Sequence, residues 1–405
     1  MSQAVTKSSR TPEPKTLSAL WQAIFLVSFP FGILAFVLPI YGRELGASAI
    51  EVGAFFSAFS IVPVIVRPLL GRALDRWGRR PFLLAGLAGY LAAVLAFGFA
   101  TTVWMLTVAR FLQGIGAAFL WLTAYTMVAD LASAGGRGLN FGLIDEATNR
   151  GAIIGTMLGF GILFRLQGGA GIEWTRLWWI LFAIYGVTTI AALVIAWRGA
   201  GETRPVTSGG APASKGITRR LITLMGIVLV TGASGAMVWP MLVIFLQDTL
   251  HAEANSIAFA YLPAALISSF LPSRLGVLSD RFGRRKPMIL GLLVGAAASA
   301  LIPHLRSLLA LAGLWAVESA GYAASVPAER AFVADIAGED VRGTSYGLYT
   351  FAYFLGMVVG PLVGGWLYDS VSPATPFYLN TVALLFGALL VAVALREPAP
   401  RAETN

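Results

Sequence analysis

Gly71-Arg72-Ala73-Leu74-Asp75-Arg76-Trp77-Gly78-Arg79-Arg80 returns 205 residues later as Gly276-Val277-Leu278-Ser279-Asp280-Arg281-Phe282-Gly283-Arg284-Arg285. The same shift lays Val128-Ala129-Asp130 on Val333-Ala334-Asp335 and Arg137-Gly138 on Arg342-Gly343. It also lays Gly142, Gly151, Gly155 and Gly159 on Gly347, Gly356, Gly360 and Gly364. One ungapped offset that holds at so many positions marks an internal repeat. The chain is two copies of one unit.

The surroundings of these loops say what the unit is. Of 405 residues, 57% are hydrophobic and 12% charged, against about 25% charged in an average soluble domain. Too few charges remain to cover a water-facing surface. A helix needs roughly 20 apolar residues to cross about 30 Å of hydrocarbon. Twelve such stretches run near 17–41, 51–72, 81–100, 103–129, 139–165, 175–197, 220–247, 255–277, 287–304, 307–333, 343–368 and 374–395. The expected fold is an all-α polytopic membrane protein, its twelve transmembrane helices forming two pseudo-symmetric six-helix bundles. A tail over 1–16 precedes the bundle 17–197. The Gly-, Pro-, Ser- and Thr-rich stretch 198–219 reads as a flexible linker, followed by the bundle 220–396 and a tail over 397–405. Ala47-Ser48-Ala49 resembles a signal cleavage site, but the apolar run before it is too long for a signal peptide core. The repeat also needs that helix, so it is expected to be retained.

The net charge of +9 is a topology signal before it is a binding signal, because the basic residues cluster between apolar runs. With both termini cytoplasmic, most Lys and Arg fall inside, and only Arg43, Arg165, Arg176 and Arg306 fall in outer loops, as the positive-inside rule requires. This places the chain in a plasma membrane, by expectation the bacterial inner membrane. No nucleic-acid partner is implied; the expected partners are a small-molecule substrate and membrane lipid, with the protein a monomer. Zero cysteines exclude a disulfide framework and any thiolate site. His251 and His304 form no ligand set, so no metal or cofactor is expected, and protons are the expected coupling ion. No histidine pairs with a serine or carboxylate at useful spacing, and no phosphate-binding Gly-x-x-x-x-Gly-Lys loop is present. Enzyme chemistry and ATP hydrolysis are therefore not expected.

The doubled loop Gly-x-x-x-Asp-Arg-x-Gly-Arg-Arg resembles the signature loop of the major facilitator superfamily. In span four, Arg110-x-x-x-Gly114-x-Gly116 is similar to its second motif, and Gly32-x6-Pro39-x-Tyr41 loosely fits a motif of its exporters. In span eleven, Gly347-x8-Gly356-x3-Gly360-Pro361-x2-Gly364-Gly365 resembles the glycine-rich motif of its drug/proton antiporters. That motif is usually diagnostic in span five, where this chain has Gly155-x3-Gly159-x-Gly161 and no Gly-Pro pair. The resemblance implies alternating access around a cavity lined by spans one, four, seven and ten.

It also implies roles for the loops. Asp75, between Gly71 and Gly78, is suited to capping a helix N-terminus; in the superfamily that helix is span eleven, here beginning near 342–345. Arg79 would bridge to Asp130, and the twin set Gly276, Asp280, Arg284 and Asp335 would do the same for span five. Together they would latch the cytoplasmic side. The glycines of spans five and eleven permit close helix approach, and Pro361 deletes a helical hydrogen bond.

Ionisable side chains inside spans cost about 2.5–3.5 kcal/mol or more at the bilayer centre, so they point to function. Arg110, Asp145, Glu146, Arg150, Glu318, Glu329 and Arg330 lie within spans, with Arg67 near an edge. Glu146 and Arg150 are four apart and suited to an ion pair; Asp145 and Asn149 repeat that spacing. Subtracting the offset puts Glu318 on Gln113, one turn from Arg110, and the implied cavity would make Glu318 face Arg110 at mid-membrane. Desolvation penalises a charged carboxyl, which suits a proton carrier. The proton-coupling candidates are Glu318, Glu146, Asp145 and Arg110. The substrate-binding candidates are Arg110, Gln113, Trp121, Asn149, Arg150, Trp239, Glu318 and Tyr322, with Phe36, Tyr125, Met237, Tyr349 and Tyr353 as further soft or aromatic lining. The leading expectation is proton-coupled export of an amphipathic small molecule. Uptake or facilitated transport of a polar solute or anion, held by Arg110 or Arg150, stays open, as does a non-transporting membrane sensor.

Overall fold

The computed structural model describes residues 14–131, 137–167, 174–203, 219–271, 283–336 and 342–395. They form α1 (Pro14–Val27), α2 (Phe29–Glu44), α3 (Ala49–Trp77), α4 (Arg80–Gly98), α5 (Val103–Leu131), α6 (Arg137–Gln167) and α7 (Trp174–Gly199). The second half supplies α8 (Arg219–Leu250), α9 (Ala254–Phe270), α10 (Arg285–Leu301), α11 (Leu308–Ile336), α12 (Arg342–Ser370) and α13 (Thr375–Ala394). Ten helical segments among the described residues are long and apolar enough to cross a membrane; α1 and α2 count there as one segment. Two spans are marked by composition and length instead: α6 carries Asp145, Glu146 and Arg150, and α9 has 17 residues. The chain is an integral multi-pass membrane protein. With an even number of crossings, Pro14 and Leu395 lie on one face, the terminal face; the opposite one is the far face.

Span one is two helices, not the single one expected. Pro30 sits in the first turn of α2 and has no N–H to continue α1, and the Ser28 hydroxyl donates to the Ile24 carbonyl at 2.7 Å, ending α1. The stretch resembling a cleavage site is a helix start: Ser48 and Glu51 form a capping box at the head of α3.

Helices pack first within each half and then across it. In the first bundle α5 packs between α3 and α4, with α1 and α4 on α7 and α2 on α6; in the second, α8 packs on α12 and α13, and α11 on α9 and α10. Trp178 anchors the far end of the first bundle, stacked on Tyr41 at 4.0 Å between ring centroids and donating its indole N–H to the Phe97 carbonyl. The main seam between bundles is α3 against α12. There Gly53 faces the Pro361 carbonyl, and the Ser57 hydroxyl donates to the Val358 carbonyl at 2.6 Å. The glycine run of α12 splits between two tasks. Gly356, Gly360 and Gly364 lie on α8 at Ala233 and Met237, within their own bundle, whereas Gly365 meets the head of α3 at Ala49 and Ile50.

The expected linker begins as structure. Gly201 donates its N–H to the Thr16 hydroxyl, so Thr16, placed in the tail by sequence, belongs to α1. The Glu202 carboxylate accepts the backbone N–H groups of Arg79 at 2.8 Å and Arg80 at 3.0 Å, capping α4. Gly78 makes room for it: its φ is +88, a region open to glycine, and a Cβ there would meet the Glu202 carboxylate at 2.5 Å. Glu202→Ala is expected to cost about 1 kcal/mol, the usual worth of a helix cap. It should lower the unfolding midpoint of the purified protein in detergent, and an unchanged midpoint would deny the cap. Residues 1–13, 204–218 and 396–405 lie outside the described residues.

Candidate functional site

Two cavities lie between the bundles at mid-span, each built by helical stripes. Trp315, Glu318, Ser319 and Tyr322 recur at three- and four-residue spacing and so share one face of α11; Tyr353, Met357 and Pro361 do the same on α12. With Gly232, Gly235 and Trp239 of α8 and Phe56 of α3 they enclose about 420 Å³. Gly235 leaves this space open: a Cβ there would meet nothing within 4 Å. The second cavity, about 400 Å³, lies between Asn149, Ile153, Thr156 and Phe160 of α6 and Ala258, Tyr261 and Leu262 of α9, with Phe36 at its back. Trp239 and Tyr261 line both. Their rings stand 5.5 Å apart, with Phe36 4.4 Å from Tyr261 and Trp315 5.3 Å from it on the other side. This aromatic cluster partitions the two spaces.

Glu318 is the one ionisable carboxylate among the residues lining either cavity. No hydrogen bond or ion pair to it is found among the described residues. Arg110 lies apart from it, which corrects the expectation that the two face each other in one cavity. The guanidinium is buried in the first bundle, over the Phe56 ring at 4.7 Å and the Phe59 ring at 5.4 Å, and Nη1 donates to Gln113 Oε1 at 2.8 Å. Phe56 is the link, since it lines the cavity of Glu318 and carries Arg110 on its ring. The 205-residue offset sets depth along the helices but not rotation about them, and the rings of Phe56 and Phe59 decide the rotation.

The other candidates divide similarly. Trp239, Glu318 and Tyr322 line the first cavity and Asn149 the second. Gln113 and Trp121 are packed inside the first bundle, the Trp121 indole donating to the Tyr90 hydroxyl at 3.1 Å. Glu146 and Arg150 form their ion pair with both side chains substantially exposed. Asp145 accepts the Tyr125 hydroxyl at 2.5 Å. Glu329 accepts that of Tyr349 at 2.6 Å, and Arg67 lies 4.4 Å over the Phe354 ring. Met237 is packed against Gly364. Of the residues expected to latch the terminal face, Arg79 Nε, buried, lies 3.0 Å from Oδ2 of the partly buried Asp130, and Thr203 donates to the same carboxylate. Arg284 heads α10 after Gly283, whose φ of +83 repeats that of Gly78. Gly276 and Asp280 lie outside the described residues, as do the side chains of Asp75, Asp335 and Arg330 and the surroundings of Gly71 and Gly347.

The far face carries a cluster that sequence reasoning missed. Arg43, at the end of α2, donates to both Asp248 oxygens of α8, at 3.1 and 3.2 Å, and the Tyr368 hydroxyl donates to the same carboxylate at 2.9 Å. Next to it, Asp369 accepts the backbone N–H groups of Ala49 at 3.2 Å and Ile50 at 2.9 Å, an acid on the positive end of α3. Both contacts join one bundle to the other. The signal was present in the numbering: Arg43 and Asp248 are 205 residues apart, so they occupy equivalent repeat positions that meet at the pseudo-twofold axis.

The family description Major Facilitator Superfamily matches residues 20–228 and again 224–405. Multidrug resistance protein 1 of Bacillus subtilis (strain 168) is 26% identical over 392 residues, spanning 95% of this chain and 97% of the relative. The class B tetracycline resistance protein of Escherichia coli is 25% identical over 379 residues, spanning 90% and 91%. Among solved structures, the nucleoside transporter NupG superposes with a TM-score of 0.75 at 14% identity, over 94% of this chain and all (100%) of that one.

Proposed function

This chain belongs to the major facilitator superfamily, and we propose that it is a proton-coupled secondary exporter of an amphipathic small molecule, with Glu318 as its proton carrier. The observation that carries this reading is the lone carboxylate of Glu318 in a cavity otherwise lined by aromatic, aliphatic, small and neutral polar groups. Such a lining holds apolar substrates without fixed geometry, while a carboxyl exposed to a mid-membrane cavity is costly unless it works. Relatives named for multidrug and tetracycline resistance support the direction of transport and the class of substrate. The Lys and Arg excess of the terminal face supports cytoplasmic termini in a bacterial inner membrane. The chain brings both bundles itself, which supports a monomer. In this reading Arg79, Asp130 and their twins latch the terminal face, and the far-face cluster latches the other.

The test uses proteoliposomes with the terminal face outward and an acidic lumen. Wild type should accumulate a lipophilic cation and release it when the pH gradient is collapsed. Gly235→Leu points an isobutyl group into the Glu318 cavity from a position where a Cβ meets nothing within 4 Å and favours the helix by about 1 kcal/mol over glycine; it should fold normally and accumulate nothing. Accumulation that ignores the gradient, or that survives Gly235→Leu, would sink the reading.

A further inference from the structure

Buried indole and phenol groups usually find a hydrogen-bond partner, and the packed parts of this chain follow the rule. Tyr41, Tyr185 and Trp178 each donate to a backbone carbonyl, Trp121 donates to the Tyr90 hydroxyl, and Tyr349 and Tyr368 donate to carboxylates. The Glu318 cavity breaks it. Trp315 is buried there and Trp239 and Tyr261 partly so, yet none of the three makes a hydrogen bond among the described residues.

Position makes one site of them. Trp239 of α8, Tyr261 of α9 and Trp315 of α11 stand with ring centroids 5.5, 5.3 and 6.4 Å apart, so a molecule that reaches one ring reaches its neighbours. Tyr261 meets both indoles edge to face, at 74° and 77°. These contacts satisfy the rings as hydrocarbon and leave one N–H on each indole and the Tyr261 hydroxyl unused. An indole N–H can only donate, so the missing partner is an acceptor. Glu318 lies three residues from Trp315 on the same face of α11, about 4.5 Å along the helix axis. A ligand that displaces water from the three donors and offers no acceptor leaves them unpaired and loses affinity. In the same way, a site built to bond a substrate's polar group rejects the analogue that lacks it.

We propose that Trp239, Tyr261 and Trp315 form a hydrogen-bond-donor subsite of the Glu318 cavity that reads an acceptor oxygen on the substrate, a ketone, ester or amide carbonyl. The preferred cargo is then an organic cation that carries such an oxygen apart from its positive centre. The proposal rests on the reading of this cavity as the substrate site and narrows the class of amphipath it takes. Glu318 answers the charge, the aromatic rings answer the hydrocarbon, and the donors answer the oxygen. A carbonyl oxygen has two lone pairs and so engages two of the three donors.

The test is equilibrium binding of two tritiated quaternary ions to the purified protein in detergent. One is trimethyl(phenylbutyl)ammonium; the other is its analogue with a ketone at the carbon next to the phenyl ring, so the pair differs by one acceptor oxygen. Wild type should bind the ketone about tenfold more tightly, or about 1.4 kcal/mol, although the ketone is the better hydrated of the two. The triple variant Trp239→Phe, Tyr261→Phe, Trp315→Phe keeps three rings and removes three donors. In it the preference should vanish, while affinity for the phenylbutyl ion stays within about threefold, less than the worth of one hydrogen bond of average strength. At least one of the single substitutions should lower the preference about threefold, which keeps the test decisive if the triple variant fails to fold. Trp121→Phe removes an indole whose N–H is already paired inside the first bundle and should leave the preference intact. No preference in wild type, a preference that survives loss of all three donors, or an equal loss in Trp121→Phe would each overturn the subsite. The preference without gradient-driven accumulation of either ion would keep the subsite and remove the export reading; accumulation of both ions with no preference would do the reverse.

Discussion

Glu318→Gln is expected to abolish uphill transport while leaving substrate binding and downhill equilibration close to wild type. For the bundles to pass through the occluded state, the Glu318 cavity must be cut off from water on both faces. Carrying a charged carboxylate through that state costs about 2.5–3.5 kcal/mol, which slows passage on the order of 100-fold at 1.4 kcal/mol per tenfold. On the proposed reading, proton binding removes the charge, so the empty transporter would return only when loaded with a proton. Glutamine keeps the shape and is always neutral, so it lifts the barrier and uncouples the cycle. Equilibrium binding of labelled substrate should change by less than about threefold, because the apolar lining supplies most of the contact. Gradient-driven accumulation should fall to background while counterflow exchange persists. A variant that still accumulates substrate would show that the proton is carried elsewhere, with Asp145 and Glu146 next in line.

The double variant Asp248→Asn with Asp369→Asn should shift the resting protein toward a far-face-open state by roughly 5- to 100-fold. Each contact is modest alone. The Arg43–Asp248 pair is about one-third exposed (35% for each side chain), and ion pairs of that exposure are worth at most about 1 kcal/mol. The Asp369 cap on α3 adds about 0.5–2 kcal/mol. Both act across the bundle seam, so their loss bears directly on the equilibrium between the two states, where 1–3 kcal/mol is a typical coupling. Spin labels on Thr102→Cys and Arg306→Cys, in far-face loops of opposite bundles, should report a longer distance population in the variant. An unchanged distribution would make the cluster a surface contact with no part in switching. The asparagines keep size and polarity, so folding should survive.

The plan of the fold was legible because it is written in periodicities: apolar length sets the spans, and one offset sets the two bundles. The Arg79–Asp130 contact was legible too, since a signature loop and a span end were repeated together. Three features escaped for physical reasons. Glu202 caps α4 from a stretch whose composition reads as tether, and capping needs one carboxylate in place, with no pattern around it. Arg110 turned away from Glu318 because rotation about a helix is chosen by local packing, here by Phe56 and Phe59. The Arg43–Asp248 pair lay in plain sight in the offset. It escaped because repeats are searched for likeness, whereas residues meeting on a pseudo-twofold axis hold together by being opposite in charge.

The most direct test of the central claim is proton movement triggered by substrate alone. Wild type and Glu318→Gln are placed in liposomes with a trapped pH dye at equal pH on both sides, and a lipophilic cation is added outside. The account predicts that wild type drives lumenal pH away from balance as substrate crosses, and that Glu318→Gln lets substrate equilibrate with the dye silent. A wild type whose dye stays silent while labelled substrate equilibrates is a facilitator, and that result would contradict proton-coupled export outright.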